Sequence, residues 1–364
     1  MRVHVVDPSA YTPPYDHALC AALAAAGADV ELITSPFAYG PVPEARGYGV
    51  REAFYRHSVG APGSRLRLAT KLAQHAPDMA RYRRAARAAD VVHFQWLPVQ
   101  PLDAHLLPRG RPRVLTAHDL LPREPRPGQR SAQRRLYRRM DAVVVHSEYG
   151  RGRLVDGLGI DPAHVHVIPH GAFDYLVAQP DERALPQELA AVERPVVLCF
   201  GLVRPYKGID VLIEAWRAIE DAELWIVGLP KMDIAALRAA ATASVRFVAR
   251  FISDAELPAY FRRADLVVLP YREIDQSGVL STALAFGKPT VLSAVGGFPE
   301  VAAAGAAQLV APADPAALRA ALVALLGDEA ARERLAVGAR AAAAGTYGWD
   351  QIARRTLALY RALL

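Results

Sequence analysis

Arg204 and Lys207 stand in "CFGLVRPYKGIDVLIEAW", a stretch that reads as a buried strand, a glycine turn bearing two cations, and a helix. Where a chain leaves the edge of a sheet, both side chains can reach an anion, Arg through a two-pronged fork and Lys as a point charge. Further along, "ADLVVLPYREIDQSGVLSTALAFGKPTVLSAVGG" runs as a buried strand, crosses a polar turn and opens a helix at Ser277-Gly278. A helix N-terminus there gathers unpaired N–H groups and a partial positive charge, which suits a phosphate. Two turns of this kind at one sheet edge predict convergence on a single anion.

The elements that must position these residues follow from the apolar pattern. In the first half the expected strands are "RVHVVD", "ADVELIT", "ADVVHFQW", "RPRVLTAH", "DAVVVHS" and "HVHVIPH"; in the second they are "RPVVLCFG", "AELWIVG", "VRFVAR", "ADLVVLPY", "KPTVLSA" and "AAQLVAP". Runs that are apolar throughout, rather than alternating, are what a parallel sheet covered on both faces requires. Between the two series, Asp174 to Arg194 contains Pro180 and Pro186 and reads as a linker. The expectation is an α/β chain of two Rossmann-like domains, 1–175 and 176–345. A helix over 346–364 then packs back on the first domain, and ligands bind in a cleft outside the carboxyl ends of the strands.

Composition narrows the function classes. At 364 residues, 52% hydrophobic and 22% charged, the chain is long enough for two cores and too apolar for disorder. Cys20 and Cys199 are far apart, which gives no disulfide framework and no metal-ligand spacing, so a reducing cytoplasm is the expected compartment. "MRVHVVDPSAY" reads as a first strand rather than a signal peptide, and no apolar run is long enough to span a bilayer. Charge is uneven: residues 1–180 carry net +7 and residues 181–364 net −1, with 10 Arg against Asp119 and Glu124 between Arg109 and Arg139. That excess, with Arg81, Arg83, Arg84 and Arg87, marks either a solvated face or one that meets an anionic membrane or a phosphorylated acceptor. Without aromatic interleaving or a nucleic-acid motif, nucleic acid is not expected as a partner. "GRGRLV" and "GYGVRE" fail the dinucleotide fingerprint and "FGKPT" fails the phosphate loop, which disfavours hydride transfer and nucleotide hydrolysis.

Taken together, "FGLVRPYKGID", "DLVVLPYREIDQSGVL", "ALAFGKPTVLSAVGGFPE", "TAHDLLPRE" and "VIPHG" resemble the retaining glycosyltransferases of family 4, the group 1 enzymes with the GT-B architecture. The resemblance implies a nucleotide diphosphosugar whose leaving diphosphate is neutralised by side chains and amides, with no metal and no cofactor. It assigns Lys207 to the phosphates, with Arg204 supplying the charge that the family carries where Leu202 stands. It assigns the amides of Ser277, Gly278 and Val279 to the diphosphate, "VARFIS" with Arg250 and Phe251 to the nucleobase, and His118 to the donor sugar and acceptor. Tyr15 and Asp16, after the first strand, are expected on the acceptor side, and His170 stands where the family has Asn. The family's carboxylate pair falls on Ile274 and Thr282, neither acidic, leaving Thr282 for the ribose and Glu273 or Asp275 as stand-ins.

The expected activity is sugar transfer with retention to a glycan, lipid-linked or small-metabolite acceptor, in the cytoplasm or at the inner face of an anionic membrane. The alternatives are a sugar-nucleotide epimerase on the same fold, or a sugar-nucleotide-binding subunit without catalysis.

Overall fold

The computed structural model describes the whole chain except Tyr39 and residues 122–126, so Arg123, Glu124 and Arg126 of the basic run and of "TAHDLLPRE" lie outside the described residues. The chain forms two compact units, Met1–Pro169 with Trp349–Leu364, and His170–Gly348. The sequence drew these lines at 175/176 and 345/346.

In the first unit the strands are β1 (Arg2–Val6), β2 (Asp29–Thr34), β3 (Gly49–Glu52), β4 (Val91–Phe94), β5 (Arg113–Thr116), β6 (Ala142–Val145) and β7 (Val165–Val167). All pair in parallel, in the order β3-β2-β1-β4-β5-β6-β7. Successive residues of a strand point to opposite faces, and here both faces are covered. Val3, Val5, Val91, Val114 and Val144 pack in one core, while Val6, Val92, Leu115, Val143 and Val145 pack in the other. Each side chain of this size contributes about 1.5–3 kcal/mol on burial. β3 is the strand the apolar pattern did not predict: all four of its residues are exposed, so an edge strand of the sequence GVRE leaves no apolar signal.

The second unit holds β8 (Val196–Phe200), β9 (Glu223–Val227), β10 (Val245–Val248), β11 (Leu266–Leu269), β12 (Thr290–Ser293) and β13 (Ala307–Val310). Their order is β10-β9-β8-β11-β12-β13, again all parallel. Val196 and Leu198 face one core, Val197 and Cys199 the other. Both sheets therefore have the doubly wound order in which the chain steps one way from a central strand and then returns to the other side.

The last helix, Trp349–Leu363, belongs to the first unit. Ile352, Leu357 and Tyr360 share a core with Tyr15, Leu19 and Leu23 of the helix Pro13–Ala25. The contact is also polar, because the Tyr360 hydroxyl meets His93 Nδ1 at 2.5 Å while His93 Nε2 meets the Thr116 hydroxyl at 2.7 Å. Burial pushes His93 down to about 3 and, first of its causes, His146 of the same unit down to about 4.

Both rings stay neutral in the fold where an unfolded chain protonates near pH 6.5. The unfolded state then binds more protons below that pH, and stability falls as pH drops from about 6.5 toward 4, at roughly 1.4 kcal/mol per pH unit for each ring at full linkage. Urea unfolding at a series of pH values should show this slope, and His93→Asn should reduce it.

Candidate functional site

β8 and β11 are the neighbours at which the strand order of the second unit reverses. Chain leaving them departs in opposite directions, which opens a crevice at the carboxyl edge. The turn after β8 has two glycines that no other residue could replace without movement. Gly201, at φ +105°, would place a Cβ 3.0 Å from Lys207 Nζ and 3.1 Å from Val279; Gly208, at φ +65°, would place one 2.0 Å from the Pro270 carbonyl oxygen. Such close approach, in a backbone region that side chains avoid, draws the two turns together.

Lys207 is only 5% exposed. Its ammonium donates to the Tyr271 hydroxyl and, at 3.5 Å, to the Phe200 carbonyl, and lies 4.4 Å from the centre of the Tyr271 ring. Tyr271 is fully buried just after β11, and its hydroxyl sits 3.5 Å from the Ser277 hydroxyl. A hydroxyl, a carbonyl and a ring face thus seat the ammonium. Ser277 precedes the helix Gly278–Ala285 and caps none of its amides with its side chain. The leading N–H groups of that helix therefore have no intrahelical acceptor. Cys199 lies below the turn, where burial pushes its thiol up to about 11 despite the nearby Lys207, so it is an inert packing residue.

Arg204 is exposed, and among the described residues its side chain forms no ion pair or hydrogen bond. Leu202, at the position where the resemblance implies a cation, is 39% exposed. Arg250 is engaged locally, donating to Glu256 at 2.7 Å and to the Phe251 carbonyl at 3.0 Å. That guanidinium, first among the causes, pulls the Glu256 carboxyl down to about 2. The Phe251 ring is 64% exposed. Thr282 is 4% exposed and donates its hydroxyl proton to the Gly278 carbonyl at 2.9 Å, so the hydroxyl expected for a ribose is turned onto its own helix. Glu273 is exposed and Asp275 half-buried, flanking Ile274, whose carbonyl oxygen lies against Gly296. His170 is buried; its Nδ1–H donates to the Gly171 carbonyl at 2.8 Å, and the Ser281 hydroxyl lies 3.1 Å from the same nitrogen, a turn-closing arrangement.

In the first unit His118 follows β5 and is 3% exposed. Trp96 stacks on it at 5.2 Å and 16°, and Tyr15 meets it edge-on at 4.7 Å. Trp96 is itself tied to Thr12 by an Nε1–H bond of 2.9 Å. The ring nitrogens are set in order. His146 donates from Nδ1 to the Ile168 carbonyl at 3.0 Å and, being neutral, offers Nε2 as acceptor to His118 Nδ1 at 3.2 Å. His118 Nε2 then faces the Gln95 amide at 3.1 Å. His146, Trp96 and Gln95 were not foreseen, because nothing local in the sequence ties them to His118; the parallel register does.

Tyr15 and Asp16, expected on an acceptor side, are 2% and 1% exposed. Tyr15 acts as a wall behind His118, His146 and Trp349. Asp16 turns inward to Asp7, which also receives the N–H groups of Ser9, Tyr11 and Thr12 at 3.0, 2.5 and 3.3 Å. Burial, foremost, raises both carboxyls, and the charge and hydrogen bond of Asp7 raise Asp16 well above the usual range. Asp16 thus packs beside Asp7 at the turn after β1.

Residues 15–172 match the family model described as Glycosyltransferase Family 4, and residues 194–328 the one described as Glycosyl transferases group 1. Over 302 residues the chain is 30% identical to a D-inositol 3-phosphate glycosyltransferase of Xylanimonas cellulosilytica, spanning 74% of this chain and 71% of that protein. The chain belongs to the group 1, family 4 glycosyltransferases. A second relative, the GDP-mannose-dependent alpha-(1-6)-phosphatidylinositol monomannoside mannosyltransferase of Mycolicibacterium smegmatis, is 32% identical over 240 residues, 61% of this chain and 63% of that one. Among solved structures, sucrose-phosphate synthase from Thermosynechococcus elongatus superposes with a TM-score of 0.75 at 21% identity, covering 100% of this chain and 99% of that one. Anabaena HepE in complex with UDP-glucose gives 0.74 at 20%, covering 100% of both. These likenesses establish the two Rossmann-like domains of the GT-B fold.

In this glycosyltransferase the two glycines should respond differently to a methyl group. Gly208→Ala drives a Cβ into the Pro270 carbonyl and should cost more than about 2 kcal/mol in urea unfolding. Gly201→Ala meets the movable end of Lys207 and should cost less in unfolding while displacing the ammonium.

Proposed function

We propose that the chain transfers a glycosyl group from a nucleotide diphosphosugar to an acceptor hydroxyl, with retention of anomeric configuration and without a metal ion. The observation that carries this reading is the seating of Lys207 against Tyr271, whose hydroxyl reaches the Ser277 hydroxyl at the start of Gly278–Ala285, with the exposed Arg204 in the same turn as Lys207. Breaking the bond between the anomeric carbon and the diphosphate leaves negative charge on the departing oxygens. Preorganised cations and N–H dipoles stabilise that charge as it forms. In this reading Arg204 and Lys207, with the amides of Ser277, Gly278 and Val279, hold the leaving group. The exposed Phe251 ring lies against the base, with Arg250 fixing its loop through Glu256. His118 orients the sugar, held in one tautomer by His146. The names of the relatives, which include a GDP-mannose-dependent enzyme, and the UDP-glucose complex of HepE support a nucleotide-sugar donor.

Lys207→Ala and Arg204→Ala should each weaken UDP or GDP binding about 10- to 100-fold, as loss of a charge-assisted hydrogen bond implies. Calorimetric titration that finds unchanged affinity in both variants removes the site. His118→Ala should lower turnover and leave nucleoside diphosphate affinity intact. The rate should survive EDTA, and NMR of the product should show the donor's anomeric configuration.

The acceptor and the place of action are open to the same kind of reasoning. No helix among the described residues is long and apolar enough to cross a membrane. The helix Arg65–Ala85 exposes Leu66, Leu68 and Leu72 at 58%, 70% and 56% among Arg65, Arg67 and Lys71. This pattern supports reversible contact with an anionic bilayer surface. Co-sedimentation with anionic vesicles at low salt, release by added salt, and no pelleting with neutral vesicles would be the expected outcome.

A further inference from the structure

Lys207 leaves the backbone from a single 3-10 turn, Pro205–Lys207, set between an extended Arg204 and a left-handed Gly208. A turn of this length has little hold on its own shape, because its internal hydrogen bonds are few and poorly aligned. Here they run from the Lys207 N–H to the Arg204 carbonyl at 3.0 Å and from the Gly208 N–H to the Pro205 carbonyl at 3.3 Å. The position of the ammonium therefore depends on what grips the turn from outside.

Three consecutive residues after β11 do so. The Pro270 carbonyl closes on Gly208, and Tyr271 meets Lys207 and packs edge-on against Tyr206 with 5.9 Å between ring centres. Arg272 has the widest hold. Its backbone N–H donates to the Tyr206 carbonyl at 2.8 Å, one arm of its guanidinium donates to the Pro205 carbonyl at 3.3 Å, and both arms grip the Asp210 carboxylate at 2.8 and 2.6 Å. Asp210 lies in the first turn of the helix Ile209–Trp216, so Arg272 holds the segment on both sides of Lys207. A two-pronged fork of this kind fixes orientation as well as distance. That guanidinium, first among the causes, holds the Asp210 carboxyl below its usual range. The two side chains are 40% and 54% exposed, where an ion pair contributes little to global stability. Its effect is on where the turn sits.

We propose that Arg272, through its pair with Asp210, is a positioning residue for the Lys207 ammonium. Arg272 acts on the turn and not on the ligand; what Lys207 then binds rests on the transferase reading above. A charged hydrogen bond weakens steeply once its distance and angle are lost, and a binding group has to be held to within about 0.5 Å of its working place. A turn released at Arg272 therefore presents the ammonium poorly to a diphosphate. The loss on removing Arg272 is bounded by the loss on removing Lys207 itself, and it disappears when Lys207 is absent.

The full-length protein carries four lysines, Lys71, Lys207, Lys231 and Lys288, so carbon-13 lysine labelling gives four ε-methylene signals for NMR. The Lys207 ammonium lies 4.4 Å from the centre of the Tyr271 ring, whose ring current displaces its signal, and Lys207→Ala identifies that signal by its loss. In the ligand-free protein Arg272→Gln should move the Lys207 signal toward that of a solvated lysine and leave the Lys71 and Lys288 signals in place. It should weaken UDP or GDP binding about tenfold by calorimetry, with no further loss when combined with Lys207→Ala. Asp210→Asn, which breaks the pair from its other side, should act in the same direction and repeats the test if Arg272→Gln does not fold. The assignment is overturned by a Lys207 signal that stays put in both variants, by nucleotide affinity equal to wild type in both, or by a loss of the same size in the Lys207→Ala background, which would put Arg272 against the ligand itself. A wild-type protein that binds neither UDP nor GDP, while its Lys207 signal responds to Arg272→Gln, would leave the positioning role standing and remove the transferase reading.

Discussion

Every strand of both sheets runs parallel to its neighbours, and that single constraint organises the molecule. A parallel strand cannot turn straight back into its partner, so each needs a returning segment across a face, and all strand ends of one kind lie along one edge. The residues with chemical potential therefore have to gather there. In the second unit the edge is drawn tightest between β8 and β11, where the chain departs in opposite directions and Gly201 and Gly208 let the backbone close around Lys207. The first unit repeats the arrangement, with His118 beyond β5 and the Asp7–Asp16 pair at the turn after β1.

The two edges solve opposite electrostatic problems. In the second unit a buried ammonium is seated against a hydroxyl, a carbonyl and a ring face. In the first, burial drives ionisable groups toward neutrality: His93 and His146 fall well below their ordinary range and Asp16 rises above its own.

Strands buried on both faces were legible because each face demands apolar residues, so β1, β4, β8 and β11 read as unbroken runs. β3 was not, since an exposed edge strand asks nothing of its side chains beyond backbone pairing. The turn residues Lys207, Ser277 and Gly278 could be picked out because the residue types and the elements flanking them imply one another. Their supports could not: Tyr271 against Lys207, and His146 and Gln95 beside His118, meet only through register between strands distant in sequence. The burial of Asp16 was not legible, because it follows from packing against Asp7, whose carboxyl gathers three backbone N–H groups at the turn after β1.

The final helix gives this architecture a timetable. His93 waits for Tyr360, 267 residues later, to supply the hydroxyl that satisfies its buried ring. At the usual 5–20 residues per second of synthesis, that interval is on the order of tens of seconds. Throughout it the surface of the helix Pro13–Ala25 that receives Ile352 and Leu357 has been made and its cover has not. The whole second unit is contiguous and can close on the ribosome first, so the half begun earliest is the half finished last. The nascent chain spends that period as an unfinished sheet with an apolar face open to other chains or to a chaperone.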